Sequence, residues 1–238
     1  MSVFKTKLIN KENVAEGTMA FHFEKPVGFE FKAGQYADYI QINPSETDKE
    51  GSERSFTLFS APYENFIGFT TRMRDTAFKR VMKNMPIGSE IRFDGPEGKF
   101  ILPKDTSKPV VFLTGGIGIT PIRSMVAQAT HDGLSQQITV FCSNRTIELA
   151  VFNDELHQLS LENNNFRYIP TLSTVADSNW AGEVGHITAD MIRKYIPDLS
   201  IPIYYLCGPG KMVKAMSKLL IDNGVKRRNI RTEEFSGY

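Results

Sequence analysis

Along the first hundred residues the apolar positions recur with a period of two. TMAFHFEKP places Met19, Phe21 and Phe23 on one face and Ala20, His22 and Glu24 on the other, the alternation of a half-buried strand. AGQYADYIQI, RSFTLFS and NFIGFTTRM are short aromatic or β-branched runs bounded by Gly, Pro, Asn or Ser, and GSEIRFDGPEGKFIL adds another strand with glycine-rich turns. Short strands at such spacing predict a small antiparallel barrel or sandwich. One helix interrupts them. DTAFKRVMKNM offers Thr76 as a cap and an apolar stripe of Phe78, Val81, Met82 and Met85.

The pattern then changes. LPKDTSKP, 102–109, is polar with a proline near each end and reads as a linker. Beyond it, continuous apolar strands alternate with helical segments. VVFLTGG, ITVFCSN, FRYIPTLS and IPIYYLCG are the strands. PIRSMVAQATHDG, IELAVFNDELHQLSLEN, ITADMIRKYIP and KMVKAMSKLLIDNG are the helices, and IRTEEFSGY closes the chain. Continuous apolar strands between helices predict a parallel sheet covered on both faces. The expected organisation is two domains, an antiparallel β-barrel over 1–104 and an α/β parallel-sheet domain over 105–238.

Composition adds exclusions. Among 238 residues, 41% hydrophobic and 23% charged content is an ordinary globular balance, and a net charge of +1 gives no support for a nucleic-acid or bulk membrane partner. MSVFKTKLINKENV lacks the apolar core of a signal peptide, and no stretch approaches the roughly 18 apolar residues that span a bilayer. A cytoplasmic location is expected. The two cysteines, Cys142 and Cys207, are too few for a four-cysteine iron–sulfur cluster in this chain. The four histidines, His22, His131, His157 and His186, have no ligand spacing, so no metal site is expected.

The candidate chemistry lies at strand ends. FLTGGIGITPIRSM runs from a buried strand into a helix, with Thr120 as the expected N-cap and Pro121 at the first helical position. A helix N-terminus presents free N–H groups to a pyrophosphate. Gly115, Gly116 and Gly118 permit close approach of a ligand to backbone. The third glycine of a GxGxxG fingerprint is missing. YLCGPGKM also follows an apolar strand and opens a helix, which would put Cys207 at the lip of the same crevice. In RSFTLFS, alternation separates Arg54 and Phe56 from Ser55 and Thr57. An arginine there suits a phosphate, and an aromatic beside it suits a flat ring.

Taken together, AGQY, RSFT, RDTAF, GPEGKF, GGIGITP, CGP and a terminal EEF resemble, in order and spacing, the ferredoxin–NADP reductase superfamily over nearly the whole chain. The resemblance implies a flavin-binding barrel followed by a nucleotide-binding α/β domain. By it, Arg54 would hold the flavin phosphate, Phe56 would pack against the flavin, Thr57 would bond near N5, and Ser55 between them would belong to the flavin site. Thr71, Arg72, Met73 and Arg74 would follow the ribityl chain. Thr76 and Ala77 stand where the family has Gly-x-x-Ser/Thr, without the glycine. Gly116, Ile117, Gly118 and Thr120 would cradle the dinucleotide. Cys207, Gly208 and Pro209 would shape the nicotinamide pocket, Glu234 would be the carboxylate near the reaction centre, and Phe235 or Tyr238 would cover the flavin.

The implied activity is hydride transfer from NAD(P)H to bound FAD, with Thr57, Cys207 and Glu234 at the reacting centre. FAD stands ahead of FMN by family frequency alone. Ser143 and Arg145, after the second strand of the α/β domain, suit a 2′-phosphate, and the absence of an acid there places NADPH slightly ahead of NADH. Electrons would leave to a separate acceptor, a ferredoxin-like protein or a small molecule. The alternatives are a reductase that uses free flavin as substrate, and a non-catalytic electron-transfer or nucleotide-sensing subunit.

Overall fold

The computed structural model describes residues 3–174 and 180–235, and in it the two patterns become two six-stranded sheets. The first comprises β1 (Val3–Ala15), β2 (Thr18–Glu24), β3 (Tyr36–Gln41), β4 (Glu53–Thr57), β5 (Phe66–Arg72) and β6 (Glu90–Glu97), with α1 (Ala77–Asn84) between β5 and β6. Its order is β4-β3-β6-β1-β2-β5, and every pairing is antiparallel. The two outer strands curl together. Phe56 stacks on Phe69 with ring centroids 4.2 Å apart, and Phe59 N–H donates to the Gly68 carbonyl at 3.0 Å. The sheet thus closes into a barrel around Phe21, Phe23, Tyr39, Phe69 and Phe93, all fully buried. Thr76 caps α1, its side chain accepting from Lys79 N–H.

The alternation reading did not include β1. It is the longest strand, at 13 residues, and it pairs with β2 on one side and β6 on the other. Its sequence is mostly polar, and only Thr6 and Leu8 are buried.

The second sheet comprises β7 (Val110–Gly115), β8 (Ile138–Asn144), β9 (Phe166–Leu172), β10 (Glu183–Val184), β11 (Ile203–Pro209) and β12 (Ile230–Phe235). Its helices are α2 (Thr120–His131), α3 (Asn153–Glu162), α4 (Ala189–Tyr195) and α5 (Gly210–Asp222). The order is β10-β9-β8-β7-β11-β12, parallel throughout. Successive residues of β7 divide between two cores. Val110 and Phe112 pack under Ile122, Met125 and Val126 of α2, while Val111 and Leu113 pack with Met191, Ile192, Val213 and Leu220 of α4 and α5. The chain runs outward from β7 to β10 and then returns to β11 on the other side of β7. That reversal opens a crevice beyond the ends of β7 and β11.

Two local expectations are corrected. Thr120 is not the cap of α2. A 3-10 turn over Gly116–Ile119 precedes the helix, and the Thr120 hydroxyl donates to the Ile117 carbonyl at 2.9 Å. The long helix expected from IELAVFNDELHQLSLEN begins only at Asn153, because Phe152 takes a left-handed φ of 58°. Among the described residues, no helix is long and apolar enough to cross a membrane.

Candidate functional site

A cavity of about 650 Å³ lies on the seam between the two sheets, within the ordinary range for a cofactor site. The barrel contributes Tyr36 of β3, Ser55, Phe56 and Thr57 of β4, and Thr70, Thr71 and Arg72 of β5. The parallel sheet contributes Ile117, Thr120 and one length of β12, Arg231 to Phe235. Motifs far apart in sequence therefore share one wall.

Three buried polar atoms on this wall lack a partner among the described residues: Thr57 Oγ1, Thr70 Oγ1 and Arg72 Nε. Leaving such a group unpaired costs about 1–3 kcal/mol. A ligand with hydrogen-bonding edges would satisfy all three. Charge points to the same kind of ligand. Arg72, Arg74, Lys79, Lys99 and Arg231 line the cavity against two carboxylates, Glu233 and Glu234, although the chain as a whole carries only +1. Burial lowers the Lys79 pKa, and the neighbouring Arg74, Arg54 and Arg72 lower it further. Its ammonium donates to the Arg72 carbonyl at 2.8 Å. An anion in the cavity would relieve this crowding of like charge. The residues present therefore fit a ligand that combines hydrogen-bonding edges with negative charge, as a flavin nucleotide does.

The glycine turn meets this wall from the other side. Gly116 takes a φ of +56°, and Arg72 Nη2 stands 3.9 Å from where a Cβ at Gly116 would be. A Cβ at Gly118 would overlap the Cys207 carbonyl and come within 2.8 Å of Gly208 Cα. The turn is thus pressed onto the end of β11, a packing only glycine permits.

Of the expected residues, Ser55, Phe56, Thr57, Thr71, Arg72, Arg74, Ile117, Thr120, Glu234 and Phe235 line the cavity. Others are placed elsewhere. Arg54 is held by the Asp48 carboxylate at 2.8 Å and Glu50 at 3.2 Å, and it donates to the carbonyls of Glu50, Gly51 and Glu53. Its guanidinium lies over the Phe78 ring. Met73 turns toward the barrel core, and Ala77 is buried in α1. Ser143 lies at the end of β8 beside Gly115, and Arg145 is exposed just beyond it. Tyr238 lies outside the described residues.

Cys207, expected at the lip of the crevice, is fully buried beneath the glycine turn with Gly208, while Pro209 is half-buried. Burial raises the Cys207 thiol well above its ordinary value, and Glu233 adds to the effect. The two terminal glutamates point different ways. Alternation along β12 half-buries Arg231, Glu233 and Phe235 and exposes Thr232 and Glu234. The Glu234 carboxylate lies against Gly210 at the start of α5. Glu233 is the more buried of the two, and burial pushes its carboxyl up to about 7.

Tyr36, Thr70, Lys79, Gly98, Lys99, Phe100, Arg231 and Glu233 also line the cavity; the sequence reading gave them no role, although Tyr36, Gly98, Lys99, Phe100 and Glu233 stand inside AGQY, GPEGKF and EEF. Tyr36 was within reach, since it ends AGQY and its hydroxyl donates to Glu97 at 2.9 Å. Lys79 gave no sequence signal beyond its place on α1.

Comparison with known proteins bears on the fold. Residues 112–218 match the family model described as oxidoreductase NAD-binding domain. The reductase component of propane 2-monooxygenase from Rhodococcus jostii is 28% identical over 229 residues, 89% of this chain and 57% of that protein. One component of the Na(+)-translocating NADH-quinone reductase of Pseudomonas paraeruginosa is 34% identical over 159 residues, 65% of this chain and 39% of that protein. The chain thus spans little more than half of one relative and less than half of the other. Among solved structures, a ferredoxin NADP+ reductase from Neisseria gonorrhoeae with bound FAD and NADP superposes with a TM-score of 0.81 at 22% identity, over 98% of both chains.

Proposed function

We propose, from the premise that this chain has the two-domain ferredoxin–NADP reductase fold with an oxidoreductase NAD-binding domain over 112–218, that it is a flavin-dependent NAD(P)H oxidoreductase. In this reading hydride passes from the nicotinamide to FAD, and electrons go on to a separate acceptor, a ferredoxin-like protein ahead of a small molecule. Residues 1–104 serve as the flavin domain and 105–238 as the nucleotide domain, in a cytoplasmic protein. The observation that carries the proposal is the set of orphaned atoms, Thr57 Oγ1, Thr70 Oγ1 and Arg72 Nε, on a cation-rich wall facing the glycine turn.

Bound flavin would supply the hydride acceptor and the change between two-electron and one-electron chemistry. The chain's own residues do the rest. Arg72, Arg74 and Lys79 neutralise the phosphates. Thr57 and Thr70 orient the ring by hydrogen bonding, and Phe56 provides an apolar surface beside it. Gly116 to Thr120 bring backbone N–H groups to the nucleotide. Buried Glu233, with a carboxyl near 7, holds a proton at the seam or releases it within the physiological range. Phe235, at the end of β12, covers the cavity and yields to the nicotinamide. Ser143, at the end of β8, and Arg145 just beyond it receive the ribose phosphate and favour NADPH. Cys142 and Cys207 are both buried and unpaired.

The test is an anaerobic titration of the purified, flavin-loaded protein with NADH and NADPH. Bleaching of the flavin band is expected with at least one of them, followed by reoxidation on adding an acceptor. No bleaching with either would remove the proposal. One observation favours the flavin-reductase alternative. The Arg54 fork is occupied by Asp48 and Glu50, which leaves one fewer cation for the flavin phosphate. A protein that purifies colourless yet reduces added flavin would establish that alternative.

A further inference from the structure

The helix that follows the glycine turn carries an arginine that the reading above leaves without a role. Arg123 lies in PIRSM, one turn beyond Thr120, and its side chain is 8% exposed. Its partners come from both domains. Nη1 and Nη2 grip the two carboxylate oxygens of Glu64, from the loop between β4 and β5, at 2.5 and 2.9 Å. Nε donates to Glu155 of α3 at 2.9 Å, and Nη2 donates to the same oxygen. Nη1 also donates to the Phe59 carbonyl at 3.2 Å. Every one of the guanidinium's five N–H donors is used. The group also lies 5.6 Å over the Phe59 ring.

Further contacts continue the seam. The Ser124 hydroxyl donates to the Ser60 carbonyl at 2.6 Å, and Tyr63 N–H donates to Gln128 at 3.0 Å. Tyr63 stacks on His131 at 4.1 Å. The backbone that Arg123 and Ser124 grip, Phe59 and Ser60, continues directly from β4, whose Thr57 lines the cavity. The helix that carries them continues directly from Thr120, which lines the same cavity. At about 3.3 Å per extended residue and 1.5 Å per helical residue, the clamp stands within roughly 10 Å of the wall on both sides.

We propose that Arg123 is a positioning residue. By spanning Glu64, Glu155 and the Phe59 carbonyl, it fixes the register between the flavin-facing strand and the glycine turn, and so the approach of the nicotinamide to the flavin. The inference rests on the oxidoreductase reading above. It follows from how steeply transfer depends on approach, since a misplacement of about 1 Å costs on the order of a hundredfold in rate. A lysine cannot replace the fork, because it offers one point charge where the seam needs a planar group with five donors.

The experiment compares wild type, Arg123→Lys and Glu155→Gln as full-length, FAD-loaded protein. Flavin and nucleotide dissociation constants are measured with the anaerobic reduction rate at saturating nucleotide and the long-wavelength absorbance of the nucleotide–flavin pair. Hydrogen exchange of segments 59–64 and 120–131 is followed in the protein before flavin is added. For Arg123→Lys we expect both dissociation constants to stay within about twofold, the long-wavelength absorbance to weaken, and reduction to slow tenfold or more. Exchange at 59–64 should quicken. Glu155→Gln, which keeps Glu64 and the Phe59 carbonyl, should show the same pattern with a drop of about threefold.

A wild-type reduction rate in Arg123→Lys would overturn the proposal. So would a rate that falls only in step with lost flavin, since that marks a purely structural role. If Arg123→Lys fails to hold flavin, Glu155→Gln is judged by the same criteria, and a wild-type rate there overturns the proposal. If wild type is reduced by neither nucleotide, the oxidoreductase reading fails instead, and the exchange data still report whether Arg123 holds the seam.

Discussion

Glu233 stands directly across from Cys207, on the neighbouring parallel strand. One is a thiol held protonated by burial, the other a carboxyl raised to about 7 by the same cause. For Glu233 the folded value lies above the unfolded one, so the folded state binds its proton more tightly. Its contribution to stability is complete below about pH 4.5 and is lost as pH rises through about 7. Before flavin is added, urea unfolding should show stability falling across that window. Glu233→Gln should remove on the order of 3 kcal/mol of the fall across that window. An unchanged slope in the variant would assign the titration elsewhere.

Arg72 carries the flavin-retention prediction. Its Nε is buried without a partner, and its terminal nitrogen faces the Gly116 turn. Arg72→Ala should weaken flavin binding by ~10-fold or more, as expected for a charge-assisted bond worth about 1.5–3 kcal/mol. Arg54→Ala should weaken it less, because Asp48 and Glu50 already hold that side chain. Fluorescence of released flavin during dilution ranks the two. Equal losses would mean that Arg54 leaves Asp48 for the cofactor.

Gly118 tests the packing of the turn on β11. Gly118→Ala would drive a methyl group into the Cys207 carbonyl, and backbone on both sides prevents easy relief. Overpacking of this kind costs roughly 1–3 kcal/mol or more. The melting temperature should fall by several degrees and the nucleotide should bind more weakly. Gly133→Ala, a comparison at a site with open space around it, tests only backbone strain, since its φ is +62°.

Cys207→Ala separates packing from chemistry. The side chain is fully buried, and a modest loss of stability, on the order of 1 kcal/mol, is expected from the vacated volume. Stopped-flow reduction should slow several-fold with flavin affinity intact. Rates equal to wild type would leave the thiol as filling for the sheet end.

Much of this architecture was legible before any coordinates. The alternation of TMAFHFE marked a strand, although Thr18 and Ala20 on its second face are buried as well, and the continuous runs of VVFL and ITVF reported burial on both faces. β1 escaped because backbone pairing with β2 and β6 holds it in place, while its side chains stay mostly polar. The resemblance named Glu234 alone, and Glu233 beside it carried no signal of its own. A period of two shows that they part ways, but only the pairing of β12 with β11 shows which one turns inward. Arg54 looked available because Asp48 and Glu50 carry no motif, and their distance from it is fixed by the preceding turn. Lys79 and Arg123 matter through partners brought in by folding, which no local window contains.

The return of the chain across β7 has a practical consequence for redesign. The residues proposed to select the nucleotide are Ser143 at the end of β8 and Arg145 just beyond it, while those proposed to handle the proton and cover the ring, Glu233 and Phe235, belong to β12. With β7 and β11 between them, the two groups are separated by three strand spacings, roughly 14 Å. Changes at sites that far apart combine almost independently. Donor preference can therefore be rewritten at one flank of the sheet while turnover is tuned at the other.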